Sequence, residues 1–280
     1  MTAGDLEVVS TGFSLAESPR WHPTLGVLSW IDITTGAFWR QGGPNGTTST
    51  SFDAPLGAAL PAVDGWLIAT GSRLVHLPVS GAVTTYASAA TANGTRFNDG
   101  TCDRRGRALL GTMDLGFRAP VGALSVWSKG RARTLKRGMA ISNGVGWSPD
   151  GAGLYLADTT ARVLWRAEYD HDAGAARDWE PWDLRFLPGK PDGLCVDEEG
   201  AVWVALWDGG AIARIRPDGS VDRILPVPAA FVSSCCFGGR DLDRLYITTA
   251  ESAPQRRDGA LLVGEVGVRG CSPPLWDPRA

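Results

Sequence analysis

The segment G-L-Y-L-A-D at Gly153–Asp158 repeats its plan of a turn, apolar or aromatic residues and a small residue in A-V-W-V-A-L at Ala201–Leu206 and R-L-Y-I-T-T at Arg244–Thr249. Earlier copies are G-V-L-S-W-I-D at Gly26–Asp32, D-G-W-L-I-A-T at Asp64–Thr70 and R-A-L-L-G-T at Arg107–Thr112. With Trp30, Trp66, Leu110, Tyr155, Trp203 and Tyr246 as markers, the spacings are 36, 44, 45, 48 and 43 residues. A four-stranded antiparallel blade with its loops takes about 40 to 50 residues. Six such units predict an all-β fold, a six-bladed β-propeller, with residues 1–280 forming one domain. A pair of β-sandwiches is the alternative, but it does not require six evenly spaced copies of one motif. E-V-V-S near residue 7 and L-L-V-G-E-V near residue 261 are expected to complete one blade from both ends of the chain.

The rest of the 280 residues agrees with this plan. Short runs of Val, Ile, Leu, Trp and Tyr alternate with turn clusters supplied by 36 glycines and 18 prolines, and no long helical periodicity interrupts them. Hydrophobic residues make up 44% and charged residues 20%, enough for a full core and against disorder. A net charge of -3 without long basic runs excludes the electrostatic footprint of a nucleic-acid or anionic-membrane binder. The expected partner is a small-molecule substrate, for a cytoplasmic monomer or small homo-oligomer. The segment M-T-A-G-D-L-E-V-V-S carries acids where a secretion signal carries positive charge. The five cysteines lack C-x-x-C spacing and read as free thiols. The three histidines are not spaced for a histidine zinc site.

Acidic and amide residues near glycine fall into two classes by their phase in the repeat. D-R-R-G at 103–106, P-D-G at 149–151 and D-E-E-G at 197–200 end just before a marker and read as hairpin turns, with P-D-G at 217–219 beside them. The second class lies 11 to 13 residues before a marker: Glu17, Asn98, Asn143, Asp192 and Ser234. That phase opens the first strand of each blade, which lines the central channel, so these oxygen-bearing side chains converge. Converging buried carboxylates pair with a base or hold a cation. No lysine or histidine shares the phase, which points to a central metal site for a hard divalent cation, with hydrogen bonding to channel waters as the alternative.

The same segments carry a family resemblance. L-A-E-S-P-R-W-H-P, R-F-N-D-G with G-T-M downstream, I-S-N-G-V-G-W-S-P-D-G and P-D-G-L-C-V-D-E-E-G together resemble the senescence marker protein, gluconolactonase and luciferin-regenerating enzyme family, over about residues 15–250. The resemblance implies one catalytic divalent ion held by Glu17, Asn143 and Asp192, with calcium expected first and zinc, manganese, magnesium or iron(II) compatible. It implies substrate contacts from Arg96 and Asn98, and at Asp99 either a second cation or a turn. Two departures stand out. Ser18 replaces a glycine common in relatives, and D-L-G-F-R follows G-T-M where some members carry a glutamate pair, leaving Asp114 as a partial replacement in substrate binding.

The activity implied is metal-dependent hydrolysis of a sugar lactone to its aldonic acid, with Asp192 as general base. Alternatives on the same site are hydrolysis of other esters or phosphotriesters, a biosynthetic ring-opening or ring-closing step, and a non-catalytic cation-binding scaffold. The 12 tryptophans are expected mainly between blades, with Trp207 at the channel mouth. The stretch H-D-A-G-A-A-R-D-W-E-P-W-D at 171–183 is expected as an exposed loop.

Overall fold

The computed structural model describes residues 6–42, 46–52, 55–88, 94–256 and 258–280. Within them lie 24 β-strands and no helix, in six antiparallel four-stranded sheets. After β1 (Glu7–Phe13), blade 1 comprises β2 (Ala16–His22), β3 (Val27–Asp32), β4 (Ala37–Gln41) and β5 (Thr47–Ser51). Blade 2 comprises β6 (Leu56–Ala62), β7 (Gly65–Thr70), β8 (Arg73–Pro78) and β9 (Thr84–Ser88). Blade 3 holds β10 (Thr95–Cys102), β11 (Ala108–Asp114), β12 (Gly122–Ser128) and β13 (Arg131–Met139), and blade 4 holds β14 (Ser142–Trp147), β15 (Gly153–Asp158), β16 (Val163–Asp170) and β17 (Ala175–Asp183). Blade 5 is β18 (Lys190–Val196), β19 (Val202–Trp207), β20 (Ala211–Ile215) and β21 (Val221–Pro226). Blade 6 is β22 (Val232–Gly238), β23 (Arg244–Thr249) and β24 (Gly259–Glu265), completed by β1, whose Glu7 pairs with Val263. Both ends of the repeat array therefore share one sheet, as the sequence predicts.

Each innermost strand contacts the next, and β22 contacts β2, so the ring closes. All six marker residues lie on the second strand of their blade. The buried hydrophobic residues form clusters between neighbouring blades: Ile31 and Phe38 meet Leu56 and Trp66 between blades 1 and 2, and Tyr155 meets Leu194 and Val204 between blades 4 and 5. Radial packing gives each blade two buried faces, which explains why the second strands read as unbroken apolar runs. Trp30, Trp66 and Trp203 fill these seams, as expected of tryptophans here.

The hairpin aspartates do more than turn the chain. Asp197 is fully buried; its Oδ1 accepts the Glu199 and Ala201 amides, and its Oδ2 accepts Trp203 Nε1 and Arg214 Nε, both at 2.8 Å. Asp103 holds the Arg105 and Arg107 amides and the Tyr169 hydroxyl in the same manner. Residues 171–183 depart from expectation, because Ala175–Asp183 forms β17, the outer edge of blade 4. Its charged and half-buried residues hid a strand that needs backbone pairing on only one side. The tail after β24 crosses the face opposite the site, where Trp276 is buried and exchanges backbone hydrogen bonds with Pro61 and Val63.

Candidate active site

All six innermost strands break their pairing register at one depth. The breaks fall between Glu17 and Arg20, Leu56 and Ala58, Phe97 and Gly100, Ser142 and Val145, Pro191 and Leu194, and Val232 and Ser234. A bulge bends its strand and re-aims a side chain. Here Glu17, Asn98, Asn143 and Asp192 sit at the breaks and line one cavity of about 290 Å³. The strands crowd at this depth: a Cβ on Gly193 would lie 2.0 Å from Ser234 Oγ. Ser18 takes φ 49°, the left-handed region open to glycine at little cost, so the departure from the family pattern falls on a strained residue.

Glu17 and Asp192 are both buried, at 6% exposure each. Burial pushes both carboxyls well above their ordinary range, and charge adds to it, from Asp192 and Asp99 on Glu17 and from Asp99 on Asp192. Glu17 Oε2 accepts the Ser18 amide at 2.5 Å. Asn143 Nδ2 donates to Asp192 Oδ1 and to Thr159 Oγ1, bonds that do not engage its carbonyl oxygen. That oxygen is buried and has no hydrogen-bond partner, and neither has Ser234 Oγ. Asn98 Nδ2 donates to the Ser142 carbonyl at 3.2 Å. Among the described residues no group of three or more His, Cys, Asp and Glu side chains is placed to hold a metal ion. The donor set that does converge is two carboxylates and one amide oxygen.

Arg96 lines the same cavity, with Nη1 donating to the Phe97 carbonyl and burial lowering its pKa against the pull of Glu17 and Asp192. Asp99, on the far side of Asn98, is neither a turn residue nor part of the cavity wall. Its Oδ1 accepts Arg20 Nη2 at 2.9 Å and the Gly100 amide at 2.7 Å. Arg20 also donates to the Gly100 and Pro19 carbonyls and faces a second cavity, of about 370 Å³, at the opposite end of the channel. Arg20, three residues past Glu17, thus brings a cation to the channel acids from outside the repeat phase. Asp114 stands apart from the cavity lining: its Oδ2 accepts the Arg118 and Ala119 amides and caps the loop that brings Phe117 to the rim. Trp207 does reach the cavity, stacked at a tilt on Phe231. Thr159, Thr160, Phe117 and Lys190 also line it; the first three lie in loops that carry no period, whereas Lys190 opens β18 at 13 residues before Trp203, inside the 11-to-13-residue window, which corrects the expectation that no lysine shares that phase.

A model of the SMP-30/Gluconolactonase/LRE-like region matches residues 15–251. The chain belongs to this family. It is 34% identical to the pentonolactonase XacC of Haloferax volcanii, over 87% of this chain and 84% of that protein. It is 33% identical to a 6-deoxy-6-sulfogluconolactonase of Pseudomonas putida, over 94% of both. Among solved structures, a calcium-binding protein, regucalcin, from Agrobacterium tumefaciens superposes with a TM-score of 0.90 at 27% identity and 96% coverage of each chain. The matched span contains Glu17, Asn98, Asn143 and Asp192.

Proposed function

We propose that this protein hydrolyses a sugar lactone to the aldonic acid at the cavity where Glu17, Asn143 and Asp192 converge. The observation that carries the reading is the pairing of two buried carboxylates with an amide oxygen that has no partner in the protein. Three hard oxygen donors fit a divalent cation, calcium first among zinc, manganese, magnesium and iron(II). Such an ion, held by Glu17, Asn143 and Asp192, would supply Lewis acidity toward the lactone carbonyl and acidify a water. The names of the lactonase relatives and of the calcium-binding neighbour support this assignment.

The chain's own residues divide the remaining work. Asn143 fixes Asp192 through its amide N–H, leaving Asp192 Oδ2 to take the proton of the attacking water. That proton then passes to the ring oxygen as the acyl C–O bond breaks, and the product carboxylic acid ionises, releasing one proton to solution. Arg96 donates to carbonyl or hydroxyl oxygens of the ring, and Asn98, anchored on Ser142, fixes its orientation. Phe117 and Trp207 offer apolar faces to the ring carbons. Five free cysteines suit a cytoplasmic setting.

A panel of aldonolactones, followed by proton release in weak buffer, tests the assignment against aryl esters and phosphotriesters. Lactones should turn over with kcat/KM at least about tenfold above the best ester. Faster turnover of an ester or phosphotriester would reassign the substrate class, and tight cation binding with no turnover would make the protein a scaffold.

A further inference from the structure

The cavity wall is chemically lopsided. Blade 1 contributes Glu17 with apolar Leu15 and Ile33, whereas both cations of the wall, Arg96 and Lys190, stand on blades 3 and 5. Lys190 is the cross-strand partner of Trp207, as Arg96 is of Met113, so each cation shares a strand face with a side chain that also lines the cavity. Lys190 is not loosely placed. It follows Gly189, at φ 80°, where a Cβ would meet Trp207 O at 2.5 Å and Gly209 at 2.7 Å. The loop before it is tied to the neighbouring blade by Arg162, which donates to the Leu187 carbonyl. No carboxylate of the described residues pairs with Lys190 or Arg96 within ion-pair distance, whereas Arg20, Arg107, Arg185 and Arg214 are each paired. Glu17 and Asp192 face the cavity floor, and a divalent ion there would offset both. With both acids offset in that way, the wall presents the Arg96 guanidinium, which otherwise feels Glu17 and Asp192, and the exposed Lys190 ammonium to a ligand.

We propose that Lys190, across blade 4 from Arg96, receives an anionic group that the substrate carries away from its ester: the substrate is an acidic sugar lactone, bearing a carboxylate, sulfonate or phosphate. The inference rests on the lactonase reading and adds the charge of the substituent. Lys190 is exposed at the cavity mouth, where an ammonium selects by charge and its effect fades with salt. Lys190 serves better than arginine for this, since its compact ammonium meets each of these anions without demanding a planar fork.

The experiment compares four lactones that differ only at the substituent remote from the carbonyl: glucono-1,5-lactone, its 6-phosphate, its 6-deoxy-6-sulfo form and glucaro-1,5-lactone. For the wild-type protein kcat/KM should favour at least one acidic lactone over the neutral one by about tenfold or more, mainly through KM, and raising salt from 50 to about 500 mM should shrink the ratio. Lys190→Met should reduce that acidic-to-neutral ratio about tenfold, and Lys190→Arg should retain most of it. Which acidic lactone leads identifies the group. A wild-type ratio near one, or a ratio that Lys190→Met leaves unchanged, overturns this inference while leaving the lactonase reading intact. Failure to open any of the four, together with the wider aldonolactone panel, overturns that reading instead.

Discussion

Arg20 on the inner strand of blade 1 holds Asp99 on the inner strand of blade 3 at 2.9 Å, across the channel and below the site. Both side chains are buried, at 10% and 2% exposure. Breaking a buried ion pair from one side strands the other charge, at a cost of about 3–5 kcal/mol. Arg20→Met should lower the urea midpoint accordingly, and adding Asp99→Asn should restore part of the loss. Additive losses in the double variant would show that the two residues do not act as a pair.

Asp197 anchors blade 5 at the face remote from the cavity, joining Trp203 and Arg214. Asp197→Ala removes the acceptor of two buried donors and should cost roughly 3–5 kcal/mol. Because the residue touches no part of the site, kcat measured well below the new Tm should stay within about twofold of wild type. A large fall in kcat with Tm unchanged would contradict the placement.

Asp114 caps the 115–119 loop through the Arg118 and Ala119 amides, and that loop presents Phe117. These hydrogen bonds are exposed, so losing them is felt in the order of the loop rather than in the stability of the fold. Asp114→Ala should therefore raise KM severalfold with little change in kcat, and Phe117→Ala should do the same. A loss of kcat in Asp114→Ala with KM unchanged would point to direct participation in the chemistry.

In metal-free protein, burial and mutual repulsion raise the Glu17 and Asp192 carboxyls. Each then binds its proton more tightly folded than unfolded. Stability is unpenalised below the unfolded value near about 4 and is lost as pH rises toward the raised folded value. Chelator-treated protein should thus show a urea midpoint that falls over this window, and Glu17→Gln should flatten the fall. An identical pH slope in the variant would contradict the account.

The propeller was legible because each second strand is buried on both faces, so Trp30, Tyr155 and Trp203 had to recur as apolar runs. Chain-end closure followed from the same repeat. The convergence of Glu17, Asn98, Asn143 and Asp192 was legible from phase, since the register breaks recur at one depth in every blade. Arg20 was not, because its partner Asp99 lies two blades away and only the closed ring joins them. Phe117 escaped because rim loops vary in length and carry no period, whereas Lys190 opens β18 within the phase window, 13 residues before Trp203. Strand β17 was hidden by an outer edge that needs little apolar surface.

Hydrolysis by the proposed route depends on a divalent ion held by Glu17, Asn143 and Asp192. The direct test is lactone opening by protein stripped with a chelator, with metal content measured on the same sample, before and after adding back calcium, zinc, manganese, magnesium or iron(II). The account predicts loss of activity with the metal, recovery with at least one ion at about one equivalent per chain, and no recovery in Asp192→Ala. Full activity in the stripped protein, or in Asp192→Ala, would contradict it.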